Sequence, residues 1–153
     1  KMVSLKNELK KGPVVLVFYR GQWCPYCNRQ LKQLEDSLPQ IKAKGASVVT
    51  VSPEKQENIA KTITKTKASY AILHDEGLQI MKSYDVAYKV DDNTIEKYKK
   101  YGIDFTVVNG EANGASLPVP AVYVISKEGK IVYKYFDVNY AKRSSVKDIL
   151  EHL

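Results

Sequence analysis

The stretch "PVVLVFYRGQWCPYCNRQLKQLEDSLPQI", Pro13 to Ile41, decides the fold. It opens with a continuous apolar, β-branched run, Pro13 to Tyr19. Such a run reads as a strand covered on both faces, as in a parallel or mixed sheet. Apolar residues then recur at Cys27, Leu31, Leu34, Leu38 and Ile41. Steps of four, three, four and three place one buried stripe on a helix. Pro25 suits the first helical position, where its missing N–H costs nothing. Pro39 is expected to kink the helix late or to end its regular part, and Gly45 to stop it.

Between strand and helix stand the only two cysteines, Cys24 and Cys27. With Cys24 as the helix cap, Cys27 lies one turn along. Residues three apart on a turn are neighbours, and α-carbons about 5–6 Å apart suit a disulfide. The pair is therefore expected to open and close with little backbone movement. The helix N-terminus presents unpaired N–H groups and partial positive charge, which favour a thiolate. A thiol near its ordinary value of about 8.5 is expected to fall to about 7, with further help from Arg20 and Arg29 if they face the sulfurs.

Three other readings of the pair stay open here. One is a structural disulfide, although closing so short a loop removes little unfolded-chain entropy. A zinc site needs two more ligands, and only His74 and His152 remain, far apart in sequence. Two inert buried thiols would account for the apolar neighbours but not for Pro25 and the helix start. A C-x-x-C after a strand and opening a helix favours redox exchange. Neither a metal nor a cofactor is expected.

The rest of the chain alternates. "ASVVTVS", Ala46 to Ser52, reads as a second strand. Ser52-Pro53-Glu54 reads as a helix start, with cap, proline and acid in order. That helix is expected to run to about Lys67 with Ile59 and Ile63 inward. "YAIL", Tyr70 to Leu73, reads as a third strand, and Asp75 as the cap of a helix through Leu78, Met81 and Tyr84. Residues Val86 to Val119 read as an insertion with one helix, Asn93 to Tyr101, and a turn-rich loop, Asn109 to Ser116. "AVYVIS" and "KIVYKYF" flank Lys127-Glu128-Gly129 as a β-hairpin. A last helix near Ser144 to Leu153 is expected to bury Val146, Ile149, Leu150 and Leu153.

This order predicts an α/β fold with a central mixed sheet flanked by helices, and an insertion before a C-terminal hairpin. A chain of 153 residues forms one domain on this reading, 1–153. Charged residues are 27% of it and hydrophobic residues 44%, which suits a soluble globular protein. No apolar run approaches the roughly 20 residues that span a bilayer. The formal charge is +7, from 24 Lys and Arg against 17 Asp and Glu. The excess is spread along many segments and reads as a solvated, lysine-rich surface rather than a nucleic-acid or membrane footprint.

The segments "GPVVLVFYRGQWCPYCNRQLKQLE" (Gly12–Glu35), "SYAILHDEGLQIMKSYDV" (Ser69–Val86) and "LPVPAVYVISKEGKIVYKYFDVNYAKR" (Leu117–Arg143) resemble the thioredoxin-like superfamily. Within it they resemble the peroxiredoxin-like branch, the alkyl hydroperoxide reductase and thiol-specific antioxidant (AhpC/TSA) group. This resemblance implies a thioredoxin-like fold, and an N-terminal β-hairpin that a chain opening Lys1-Met2 is expected to lack. It also implies a cis-proline facing the cysteines, which Pro120 matches. The Val119 backbone before it is then expected to pair with an extended thiol substrate.

Other positions depart from the family patterns. Peroxiredoxins carry Pro where Arg20 stands, Thr where Cys24 stands and their peroxide-attacking cysteine where Cys27 stands. Their arginine that steadies the peroxide falls near Pro120. The buried acid of thioredoxins falls at Phe18, so no proton acceptor for the resolving thiol is identified. The tetrapeptide "CPYC" is also similar to that of glutaredoxins.

The implied function is thiol–disulfide exchange. Cys24 is expected to be the exposed attacking thiolate and Cys27 the resolving thiol. Trp23, Tyr26, Arg20, Val119 and Pro120 are expected to bind substrate, with Tyr19 and Trp23 as an apolar rim. The alternative is a thiol-dependent peroxidase in which Cys27 attacks peroxide and Cys24 resolves it. A third reading is a non-catalytic binding module that docks a partner through its basic surface or insertion. Expected partners are protein or small-molecule thiols and disulfides, and hydroperoxides on the second reading. The compartment stays open, with cytoplasm favoured over periplasm.

Overall fold

The computed structural model describes residues 2–153. Among them, helix α1 (Leu5–Lys11) is followed by strand β1 (Val14–Phe18), helices α2 (Pro25–Asp36) and α3 (Leu38–Ala43), β2 (Ser47–Ser52), α4 (Gln56–Thr66) and β3 (Ala71–His74). A short 3-10 turn, Glu76–Leu78, leads into α5 (Gln79–Ser83). Next come β4 (Ala87–Lys89), α6 (Asp92–Lys100), α7 (Phe105–Asn109), β5 (Ser116–Pro118), β6 (Ala121–Ile125), β7 (Ile131–Phe136) and α8 (Val146–Glu151). The central sheet has the order β3-β2-β1-β6-β7. β1 runs parallel to β2, and β2 to β3, whereas β6 is antiparallel to both β1 and β7. This is the expected mixed sheet, closed by the expected hairpin.

β1 lies at the centre, and all five of its residues are buried. Alternate side chains of a strand point to opposite faces. Val15, Val17 and Tyr19 therefore pack with Cys24, Cys27, Leu31 and Leu34 of α2. Val14, Leu16 and Phe18 pack on the other face with Leu78, Met81 and Val86, and α1 adds Leu5 and Leu9 there. An unbroken apolar run was needed because both faces are covered.

The long helix breaks late, as expected from Pro39: two helices meet at Ser37, two residues before that proline. Other local readings are corrected. Ser52-Pro53-Glu54 does not start α4. That helix begins at Gln56 after Lys55, which makes no side-chain cap. Glu54 is instead drawn inward, and its backbone N–H donates to Ser52 Oγ at 3.1 Å. Ile63, expected inward, is 42% exposed. Asp75 caps as expected, accepting from the N–H groups of Ile80 and Met81 at 3.0 and 2.9 Å.

The insertion is a folded unit. β4 and β5 pair antiparallel as a second, two-stranded sheet. Val90, Phe105 and Leu117 form a small core of their own, against which Trp23, Ile95 and Tyr98 pack. The insertion is thereby fastened to the cysteine loop through Trp23.

Candidate active site

Cys24 occupies the N-cap of α2 in extended conformation, and Pro25 follows at the first helical position. An N-cap side chain normally offers oxygen to a free N–H of the first turn. Here the acceptor is sulfur, and the Cys27 N–H donates to Cys24 Sγ at 3.3 Å. The Arg20 N–H donates to Cys27 Sγ at 3.4 Å. Both thiols are free, and the predicted pair does share one helical tip.

The tip pulls the two thiols apart in acidity. Cys24 falls from 9.0 to about 6, chiefly because Cys27 donates to its sulfur, with burial opposing and the Arg143 and Arg20 charges assisting. Burial pushes Cys27 well up, and the neighbouring Cys24 charge adds to this. Of the two, Cys24 therefore holds negative charge more readily than Cys27. The expected fall to about 7 had the right direction but omitted the neighbouring thiol, which contributes most.

Cys24 was expected to be exposed, but only 1% of its surface is. Side chains of distant segments crowd it, so it borders a cleft of about 370 Å³ together with Arg20, Trp23, Tyr26, Tyr98 and Tyr140. Tyr26 meets Tyr140 edge-on, with ring centroids 5.9 Å apart. Trp23 meets Tyr98 the same way at 5.3 Å. Arg20, Trp23 and Tyr26 thus line the cleft beside Cys24. Tyr19 does not, because it is wholly buried and its hydroxyl donates to Thr62 Oγ1 at 3.3 Å. Arg29 lies over the Tyr26 ring instead of facing the sulfurs.

The Pro120 and Val119 readings are corrected. No peptide bond among the described residues is cis, so Val119–Pro120 is trans. The Val119 N–H donates to the Val86 carbonyl at 2.8 Å. That donor is consumed within the fold and is not free to pair with an extended substrate.

Two groups of the site had no signal in the sequence pattern. Arg143, in the loop after β7, reaches back to the tip. Its Nη2 lies 3.3 Å from Cys27 Sγ and 3.8 Å from Cys24 Sγ. Nε donates to the Tyr140 carbonyl at 2.7 Å and Nη1 to Gln30 Oε1 at 2.9 Å, which fixes the guanidinium in place. Glu54 is the other. It is fully buried, and its Oε1 accepts from the Gln22 N–H at 2.8 Å while Oε2 has no partner. Burial raises its carboxyl to about 7, and the Cys24 charge pushes in the same direction. Gly21 stands where a Cβ would press on the Trp23 indole nitrogen and lie 3.0 Å from Glu54 Oε2. The two histidines are engaged elsewhere. His74 pairs with the Glu54 carbonyl and Glu76, and His152 stacks on Tyr133.

A mixed sheet presenting a C-x-x-C pair at the tip of the helix after its central strand defines a thioredoxin-like protein with a close pair of free thiols. A family model described as the AhpC/TSA family matches residues 1–134. The chain belongs to that family. Among curated relatives, a chloroplastic peroxiredoxin Q of Sedum lineare is 34% identical over 84 residues, 55% of this chain and 45% of the relative. The thiol-disulfide oxidoreductase ResA of Bacillus cereus is 24% identical over 132 residues, 84% of this chain and 59% of the relative. The chain thus spans about half the length of these relatives.

Among solved structures, the peroxidoxin BcpB of Mycobacterium tuberculosis aligns with a TM-score of 0.71 and 19% identity, over 97% of this chain and 82% of that one. A bacterioferritin comigratory protein of Xanthomonas campestris aligns with a TM-score of 0.74 and 15% identity, over 99% and 82%. These likenesses carry the fold. Among the described residues no helix is long and apolar enough to cross a membrane.

Proposed function

We propose that this chain is a dithiol–disulfide oxidoreductase in which Cys24 attacks and Cys27 resolves. The place of Cys24 carries this reading: it caps α2, accepts the Cys27 N–H at its sulfur and borders the cleft, and the acidities of the two thiols point the same way. The Cys24 thiolate attacks one sulfur of a substrate disulfide. The substrate S–S bond breaks, a mixed disulfide with Cys24 forms, and the first substrate thiolate leaves with the electron pair. Cys27 then loses its proton and attacks Cys24 Sγ. The Cys24–Cys27 bond forms and the second thiolate leaves, so two electrons have passed to the substrate.

Arg143 holds both sulfurs and offsets the charge that moves between them. Glu54 is half protonated near neutral pH and lies within the field of Cys24, which suits it to take up or release the proton of this exchange. Reducing thiols abundant in the cytoplasm suit the resetting of such a couple.

Peroxidase action by Cys27 is a second reading. It is supported by the peroxiredoxin relatives and by the Arg143 guanidinium 3.3 Å from Cys27 Sγ. The raised Cys27 thiol weighs against it, as does the position of Cys24 rather than Cys27 on the cleft. Trapping separates the two. Cys27→Ser is expected to accumulate a mixed disulfide through Cys24 when offered a disulfide, as read by intact mass. Peroxide-driven sulfenic acid at Cys27 in Cys24→Ser, without trapping in Cys27→Ser, would replace exchange with peroxidase action.

A further inference from the structure

We infer that the cleft beside Cys24 selects disulfides carrying a carboxylate, with Arg20 as the anchor; this rests on the exchange reading above. Arg20 is 4% exposed, and among the described residues no carboxylate pairs with it. Buried charges are normally paired, because desolvating an ion costs several kcal/mol. This guanidinium donates from Nη2 to the neutral Tyr98 hydroxyl at 3.1 Å, and Nε has no partner. Its other neighbours are the Tyr88 hydroxyl and ring faces. Its central carbon lies 4.1 Å from the Tyr140 centroid, 5.0 Å from Trp23 and 5.9 Å from Tyr98. Aromatic faces offset part of the desolvation and leave the positive charge uncancelled.

Charge counting at the tip points the same way. Two guanidiniums, Arg20 and Arg143, attend one thiolate, and Arg143 is the one that touches the sulfurs. Lys97 also borders the cleft, and no acidic residue does. The Cys24 charge disappears when its sulfur joins the substrate, so the mixed disulfide leaves both guanidiniums without an anion. A substrate carboxylate in the cleft supplies the missing charge at that moment. The aromatic walls suit a compact organic group between carboxylate and sulfur. The ligand class is therefore a small anionic disulfide.

Two aromatic disulfides that differ in charge test this. The reduced protein is mixed at neutral pH with dianionic 5,5′-dithiobis(2-nitrobenzoate) or with neutral 2,2′-dithiodipyridine. Each second-order rate is divided by that of 2-mercaptoethanol with the same reagent. The normalised preference for the anion is expected to reach about tenfold. Arg20→Met is expected to remove most of that preference, and Lys97→Glu, on the open side of the cleft, to reduce it about threefold. Equal normalised rates in the unmodified protein would overturn the inference and leave exchange standing, as would an unchanged ratio in Arg20→Met. Failure of both disulfides to react would instead overturn the exchange reading and this inference with it.

Discussion

The tip of α2 and the wall that closes over it differ in where their residues come from. Cys24, Pro25 and Cys27 lie within four consecutive positions, and one turn of helix brings them together. The wall is assembled from Glu54 before α4, Tyr98 on α6, and Tyr140 and Arg143 after β7. Arg143 lies 119 positions from the Cys24 it touches. The tip supplies the reacting atoms and a field favouring ionisation. The wall adds to that ionisation through its charges and sets what reaches the sulfur. Chemistry is local here, whereas tuning and access depend on the whole fold.

The strongest test of the tip is a pH series. Alkylation by iodoacetamide, followed by peptide mass, is expected to label Cys24 and spare Cys27 at neutral pH. The Cys24 rate is expected to level off above about pH 7 and to fall about tenfold per pH unit below 6, roughly a hundredfold between pH 8 and pH 4. Two thiols titrating together would erase the difference between them.

Glu54→Gln tests the wall. The glutamine keeps an acceptor for the Gln22 N–H and loses the ionisable group. Because the native carboxyl lies near 7 rather than 4.5, the folded protein holds its proton longer than the unfolded chain does. Glu54 therefore favours folding below about 4.5, and that contribution is lost as pH rises through 7. Unfolding by urea at pH 5 and pH 8 is expected to show the unmodified protein losing roughly 2 kcal/mol more than Glu54→Gln over this span. Parallel pH dependence in the two proteins would remove Glu54 as a titrating group.

Arg143→Met is expected to have the smallest effect. Without that guanidinium Cys24 ionises less readily, so its alkylation at pH 5.5 is expected to slow about tenfold and at pH 8 hardly at all. A profile identical to that of the unmodified protein would mean that the tip alone sets the acidity.

The same division governs what the sequence made legible. β1 and α2 were readable because burial on both faces of a strand and one stripe on a helix leave short-range patterns. The cysteine pair and Pro25 were readable because capping is a matter of neighbouring residues. Ser52-Pro53-Glu54 misled because a local cap pattern lost to a distant partner. Gln22, 32 positions away, claims the Glu54 carboxylate. Ile63 follows the helical stripe of α4 yet faces outward, since the sheet covers only part of that helix. The family likeness carried Pro120 and Val119 into the site, but the Val86 carbonyl had already taken the Val119 N–H. Arg143 closed the quoted likeness without being singled out, because its place depends on the turn that binds it to Tyr140 and Gln30.

The sulfur of Cys24 is both a reactant and the fastener of the first turn of α2. Bonding it to Cys27 discharges it, and the amide that leaned on it loses an anionic acceptor. Arg143 loses its counter-charge in the same event. Every one of these attractions belongs to the dithiol and weakens in the disulfide, so they lower the energy of the electron-rich form. The couple therefore gives its electrons to a substrate disulfide less readily than an unassisted dithiol would, and is the more easily reset by an outside reductant.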